Sequence, residues 1–527
     1  MENKVVIRSA ATVGAFILLS RFFGMVRDVL MASRFGTSLG MSAFIVAFTV
    51  PNLFRSLLGE GALSTAFVPV FTETMEKQGR DRVWSFASRM LSLLVVLLAA
   101  LVLAGVLAVT LAGRFPLPDR LAEILRLLRI MLPYLFFICA SAFLSAMLNA
   151  LRRFALPAAT PVLLNLVMIA GLAWLCPLLA RDSRDQLTVL SWLVVLAGGL
   201  QLAVQAPSLW REGFRFRPSL DWRDPGVRQV GRLMAASAIG VGVTQINVLV
   251  DRFMAVAVGP GAPSYLYFAE RLIYLPLGIF ATALGTVLLP TLSRLAARAE
   301  FDGIRQTVND ALRHLAFIML PCAVGILVLA APIVRVIYER GDFSELSAAG
   351  TRLALQCYAP GLVLFSLLKV FIPAFYALQD MRTPVRVGIH CTVLNIGLNA
   401  LLIWPFGHAG IALGTVLASL VESVWLARLL QTRIGDPGWM AVSRSWVRAG
   451  AASALMAGAA LAVHPAASRL AHASFGTGFS ANLLALAAVL VVAVAVYLLA
   501  AWLFRCPEGR EILGALRGRR RPAEPAS

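Results

Sequence analysis

Apolar residues run along this chain in blocks of about 20, each long enough to cross about 30 Å of hydrocarbon as a helix. Glycine, proline and clusters of charge part the blocks. Fourteen blocks can be read, at about 10–33, 41–70, 85–113, 124–151, 157–180, 188–210, 230–258, 264–290, 309–338, 348–378, 384–404, 409–433, 446–465 and 480–504. They predict an all-α polytopic membrane protein with about 14 transmembrane helices. The first block follows only the short polar stretch Met1–Arg8, carries arginines and leads into another apolar block rather than a small-residue cleavage site. It is expected to stay in place as a helix.

The polar segments alternate in charge. One set holds Lys77, Arg80 and Arg82, then Arg152 and Arg153, the arginines between Arg211 and Arg228, Arg294, Arg298 and Arg305, Arg382 and Arg386, and Arg433 and Arg444. The intervening loops hold few cations, such as Arg114, Arg120, Arg181, Arg184 and Arg340. Basic loops mark the cytoplasmic side. The basic set includes the tail residues Arg517, Arg519, Arg520 and Arg521, and an even helix count puts both ends on one side, so both termini are expected in the cytoplasm.

Composition agrees with the pattern. Of the 527 residues 59% are hydrophobic and 14% charged, with a mean hydropathy of +0.81, against about a quarter charged in soluble domains. A net charge of +20 could suggest nucleic acid, but its confinement to alternate loops and the tail makes it a topology signal, so membrane lipids and no nucleic acid are the expected contacts. The six cysteines form no CxxC pair and no ligand set with histidine, and read as small core residues. No Walker A, HExxH or GxSxG context is present, and an enzyme is not expected.

A faint internal repeat divides the chain. At an offset of 221, Ala62, Leu63, Thr65 and Pro69 meet Ala283, Leu284, Thr286 and Pro290, and at 227, Ala150, Leu151 and Pro157 meet Ala377, Leu378 and Pro384. Transporters are commonly built from such related halves with substrate between them. The expected parts are an N-lobe of six helices (1–225), a C-lobe of six parallel in topology (226–435), two extra helices (436–505) and a basic tail (506–527).

The stretch from Ser20 to Pro69 holds Arg21, Arg27, Asp28, Arg55 and Glu60 within apolar sequence. A charge at the centre of a membrane helix costs roughly 2.5 to 3.5 kcal/mol on insertion scales, so it calls for a watery cavity or a partner. Arg21 and Asp28, seven apart, share a helix face. Arg55 follows Pro51, which should loosen its helix. In the second half, YFAERLIYLPLG places Glu270 and Arg271 ahead of Pro276. Arg21, Arg27, Arg55 and Arg271 thus come from helices that begin the two lobes, and their planar forks suit a phosphate or pyrophosphate. The alternative is structural pairing of each arginine with Asp28, Glu60 or Glu270. Lys369 and Glu422 are further intramembrane charges. Asp251, Asn395, Asn399 and Thr415 offer the hard oxygens that suit sodium, or plain interhelical hydrogen bonds.

SRFFGMVRD, AFIVAFTVPNLFR, EGALSTAFVPVF, YFAERLIYLPLGIFATALGTVLLPTLSR and FYALQDMRTPV resemble the MurJ (MviN) lipid II flippases of the multidrug/oligosaccharidyl-lipid/polysaccharide exporter superfamily, over nearly the whole chain to about residue 505. The resemblance implies a flippase in the bacterial inner membrane. It would move the undecaprenyl-pyrophosphate-linked disaccharide-pentapeptide (lipid II) from the inner to the outer leaflet for peptidoglycan synthesis, alongside cell-wall synthesis proteins. It implies that Arg21, Arg27, Arg55 and Arg271 are cavity arginines and that the last two helices form a groove for the polyprenyl tail. It also implies a sodium site at Asp251, Asn395, Asn399 and Thr415. Ser42 stands where many members of that family carry an acid and Tyr274 where some carry a glutamate, which leaves Asp28, Glu60 or Glu270 to balance the arginines. A flippase for another polyprenyl-linked glycan, or a non-transporting cell-wall scaffold, is the alternative.

Overall fold

The computed structural model describes residues 2–57 and 63–516; Glu60 and the arginines of the tail lie outside them. The chain forms two compact units, one running to Ser264 and including Arg340–Ser344, the other made of Tyr265–Glu339 and the chain from Glu345 onward.

The first unit contains α1 (Glu2–Phe35), α2 (Leu39–Phe54), α3 (Leu63–Ala112), α4 (Asp119–Ala150), α5 (Ala155–Ala170), the short α6 (Cys176–Leu179), α7 (Ser183–Arg211) and α8 (Pro225–Val258). Proline lies inside α2, α4, α5 and α7, which membrane helices tolerate because neighbouring groups re-satisfy the freed carbonyls. The basic loop expected around Lys77 to Arg82 is a break inside α3, where Gly79 turns to φ 84°. Phe67 stacks on Phe86 at 5.6 Å and Phe71 meets Trp84 at 5.8 Å, so the two arms of α3 fold back on each other.

α8, expected to open the second lobe, packs with α3 and α2 in the first unit. Its start is capped by Asp224, whose Oδ1 accepts from the backbone of Gly226 (2.9 Å) and Val227 (3.3 Å) with Pro225 at the first helical position. The other oxygen accepts from Arg82 at 2.8 Å and from Arg89. Burial works to raise the pKa of this carboxyl, but the backbone donors and the two guanidiniums outweigh it and hold the group below the usual range.

The second unit contains α9 (Ala262–Pro276), α10 (Thr282–Ala297), α11 (Phe301–Tyr338), α12 (Glu345–Tyr358), α13 (Gly361–Ala377), α14 (Arg382–Phe406), α15 (His408–Ile434), α16 (Trp439–Phe475), α17 (Phe479–Leu503) and α18 (Pro507–Leu516), the first residues of α9 belonging to the other unit. The two surplus helices α16 and α17 pack on α11 through Phe317, Met456, Val489, Ala493 and Tyr497. α18 pins this corner: Glu508, 1% exposed, accepts from Arg313 on α11 (2.7 and 2.8 Å) and from Ser445 on α16 (2.8 Å).

Among the described residues eleven helices are long and apolar enough to cross a membrane, or twelve if the bent pair α12 and α13 is one span. α1 and α8, 34 residues each, are also long enough at 1.5 Å per residue, but both carry charge. The fold is an all-α, multi-pass membrane architecture, and the fourteen expected spans describe it approximately.

Candidate functional site

Arg21, Arg27 and Asp28 of the first unit sit on α1 and Arg55 at the end of α2, and α5 supplies an amide partner. Arg27 is 7% exposed. Its Nε and Nη2 donate to Asp28 Oδ1 at 3.0 and 2.8 Å, and its Nη1 donates to Asn165 Oδ1 on α5 at 3.0 Å. Asn165 returns a hydrogen bond from Nδ2 to the Ser20 carbonyl at 3.0 Å. Arg27 and Asp28 are therefore bound up in a buried knot that ties α1 to α5, an ion pair whose remaining donor is satisfied by an amide. This matches the structural alternative for Arg27 better than a ligand role.

Arg21, two turns earlier on α1, is only half-buried. Arg55 is half-buried as well and closes α2; its Nε donates to Asn52 Oδ1 at 2.9 Å. The backbone N–H of Arg55 reaches the carbonyls of Pro51 and Asn52, and the chain widens into a π turn over residues 55–57. The expected loosening after Pro51 takes this form. Ser42, where relatives are expected to carry an acid, is 4% exposed and shares a 2.8 Å hydrogen bond with Ser264 Oγ. A hydroxyl pair thus fills a buried place that a carboxylate could occupy only at a desolvation cost.

In the second unit Arg271 lies on α9 with its guanidinium 4.6 Å from the Tyr267 ring centroid and Nη2 donating to the Tyr267 hydroxyl at 3.2 Å. The tyrosine one turn earlier positions the fork and leaves the residue half-exposed. Glu270, beside it, accepts from the Tyr358 hydroxyl at 3.2 Å. Tyr274 is 48% exposed one turn after Arg271. Lys369 is exposed in the middle of the apolar α13 and makes no ion pair with any described residue.

Asn395 and Asn399, 2% and 0% exposed, join Thr415 in one chain. Asn399 Nδ2 donates to Asn395 Oδ1 at 3.0 Å, Asn395 Nδ2 to Thr415 Oγ1 at 3.3 Å, and Thr415 to the Ile411 carbonyl at 3.0 Å. A Cβ at Gly414 would fall 2.1 Å from Asn399 Oδ1, so glycine lets α14 and α15 close on each other there. Of these bonds the one from Asn395 to Thr415 joins α14 to α15, and the other two lie within one helix. Asp251 belongs to α8 of the first unit, next to the buried Arg252.

The sequence reading missed the partners that orient these groups: Asn165, Asn52, Tyr267 and Tyr358. Two left a signal. Asn165 is a lone amide within ALPAATPVLLNLVMIA, and Tyr267 precedes Arg271 by one turn.

Known proteins bear on this arrangement. The family model described as "Lipid II flippase MurJ" matches residues 31–486. A protein of Vibrio cholerae named "Probable lipid II flippase MurJ" is 37% identical over 81% of this chain and 83% of its own length. One of Burkholderia cenocepacia named "Lipid II flippase MurJ" is 32% identical over 86% of this chain and 89% of its own. Among solved structures, "Lipid II flippase MurJ, inward closed conformation" shares the fold with a TM-score of 0.77 at 23% identity, covering 95% of this chain and 99% of the other. An inward-facing multidrug resistance MATE transporter follows at 0.67 and 14% identity, covering 79% of this chain and 95% of its own. The chain belongs to the lipid II flippase MurJ family.

Proposed function

We propose that this protein is a lipid II flippase of the bacterial inner membrane, with both termini in the cytoplasm, that carries the undecaprenyl-pyrophosphate-linked precursor to the outer leaflet by alternating access. Family membership supports the substrate. The observation in the chain itself that carries the reading is Lys369: an exposed ammonium on an apolar span, without an ion pair among the described residues, is stable against water and not against lipid. Arg21, Arg55 and Arg271, half-exposed on their own helices, have the chemistry to hold a pyrophosphate in such a watery space. Arg27 acts through the fold, by fixing α1 to α5. The outward face of α17, with Leu490, Val491, Val494 and Leu498 exposed, has the apolar character a polyprenyl tail needs. A sodium coupling ion would draw on Asp251, Asn395, Asn399 and Thr415 and would require the two amides to turn their oxygens inward.

The test uses cells depleted of their own lipid II flippase, with outer-leaflet lipid II as the readout. Arg21→Ala, Arg55→Ala and Arg271→Ala are expected to be made at normal levels and to fail to restore lipid II exposure. Normal growth and exposure with all three replaced would sink the cavity reading. A cell-wall scaffold would tolerate the triple replacement while still supporting growth.

A further inference from the structure

A second cluster of arginines lies away from the residues above, wholly within the first unit. A hollow of about 400 Å³ opens where Gly79 breaks α3, at the end of α4 and at the end of α7. Arg80, Arg152, Arg153 and Glu212 line it over a floor that includes Met75 and Leu151. Three guanidiniums against one carboxylate leave an excess of two positive charges. Glu212 is engaged mainly by Arg153, which donates to Oε1 at 2.9 and 3.0 Å; Arg80 stands 4.0 Å from Oε2. The side chain of Arg152 has no hydrogen bond or ion pair with any described residue.

The backbone at Arg152 adds an independent observation. α4 ends with Arg153 N–H on the Leu148 carbonyl (2.8 Å) and Arg152 N–H on that of Asn149 (3.0 Å), with Arg152 at φ 60°. This is the left-handed position after a helix end where glycine is usual, because a Cβ there costs roughly 1 to 2 kcal/mol. Ala299, Gln379 and Arg505 end their helices in the same conformation, so at Arg152 the backbone serves to fix where the guanidinium leaves the end of α4.

We propose that this hollow binds a phosphate group, with Arg152 and Arg80 as its principal donors and Arg153 held in place by Glu212. The paired forks match phosphate oxygens, and the apolar side chains of Met75 and Leu151 suit a ligand with an acyl portion. Two sources share this chemistry: the headgroup of an anionic phospholipid and a free phosphate compound. The site uses none of Arg21, Arg27, Arg55 or Arg271, so its failure would leave the flippase reading untouched.

The experiment measures binding of fluorescent phosphatidylglycerol to the full-length protein in nonionic detergent, with phosphatidylcholine and inorganic phosphate as further probes. Arg152→Gly removes the guanidinium while relieving the backbone. It is therefore expected to raise the unfolding midpoint and yet weaken phosphatidylglycerol binding about tenfold. Arg80→Gln should weaken it further, and Arg386→Gln, which removes an exposed arginine of the other unit, should not. Phosphatidylcholine should not bind. Displacement of the lipid by millimolar inorganic phosphate would assign the site to free phosphate, and binding that phosphate does not disturb would assign it to the lipid headgroup. Equal affinity of wild type and Arg152→Gly for both probes would overturn the proposal. So would an equal loss in Arg386→Gln.

Discussion

Arg27 and Arg271 are both arginines within long helices, and their surroundings give them different roles. Arg27 spends Nε, Nη1 and Nη2 on Asp28 and Asn165, whereas Arg271 lies over a tyrosine ring with its fork half-exposed. Replacing Asn165 by leucine would strand Nη1 of a buried cation, and a lost hydrogen bond to a charged group costs about 1.5–3 kcal/mol. Asn165→Leu is therefore expected to lower the thermal unfolding midpoint of the purified protein by several degrees, and Asn165→Asp, which keeps the acceptor for Arg27 but loses the donor to the Ser20 carbonyl, should recover only part of that loss. A leucine variant as stable as wild type would mean that the amide does not tie α1 to α5. At this scale the sequence exposed the charges well, because a charge in an apolar run is conspicuous. It could not sort them. Arg27 and its acceptor are 138 positions apart, and only the packing of α1 on α5 brings them together. Ser42 shows the same limit: its hydroxyl partner Ser264 lies 222 positions away.

Helix positions were legible for a related reason: a span needs a long apolar run, and the fourteen blocks fall on the observed helices, although 41–70, 264–290 and 348–378 each run across two of them. The connections were less so. The turn between α11 and α12, Arg340–Ser344, docks on the turn between α1 and α2, where the Asp342 N–H donates to the Ser33 carbonyl at 2.8 Å. Two glycines make the approach possible. Gly341 (φ 60°) would place a Cβ 2.1 Å from the Ser33 carbonyl oxygen, and Gly36 (φ 54°) would place one 2.3 Å from that of Asp342. Both are backbone atoms that cannot move aside without opening the contact. Gly341→Ala is expected to break the Asp342 to Ser33 bond, speed proteolytic cleavage within 339–345 and lower the unfolding midpoint. Gly478→Ala, at a site with open space and φ −78°, should be close to neutral. Equal protease resistance in both variants would show that the turn can be lifted at no cost. From sequence these glycines were indistinguishable from ordinary loop glycines, because their requirement comes from a segment some 300 residues away.

For the molecule as a whole, orientation rests on charge rather than on packing. The insertion bias of lysine and arginine retains basic loops in the cytoplasm, and here the bias is repeated loop after loop, from Lys77 and Arg80 to Arg433 and Arg444. Two exposed residues report it from opposite sets. Lys77 lies next to the break in α3, and Thr477 lies in the turn between α16 and α17, which carries no charge from Phe475 to Ser480. If each of the fourteen apolar blocks is one span, eleven crossings separate the two, and an odd number puts them in different compartments whichever way the protein inserts. In a cysteine-free background, a membrane-impermeant maleimide applied to intact cells with a permeable outer membrane is expected to label Thr477→Cys. Lys77→Cys should be labelled only after the inner membrane is opened. The opposite pattern would invert the orientation while keeping the fold. Labelling of both from one side would mean an even number of crossings between the break in α3 and the turn before α17, and would overturn the fourteen-span reading.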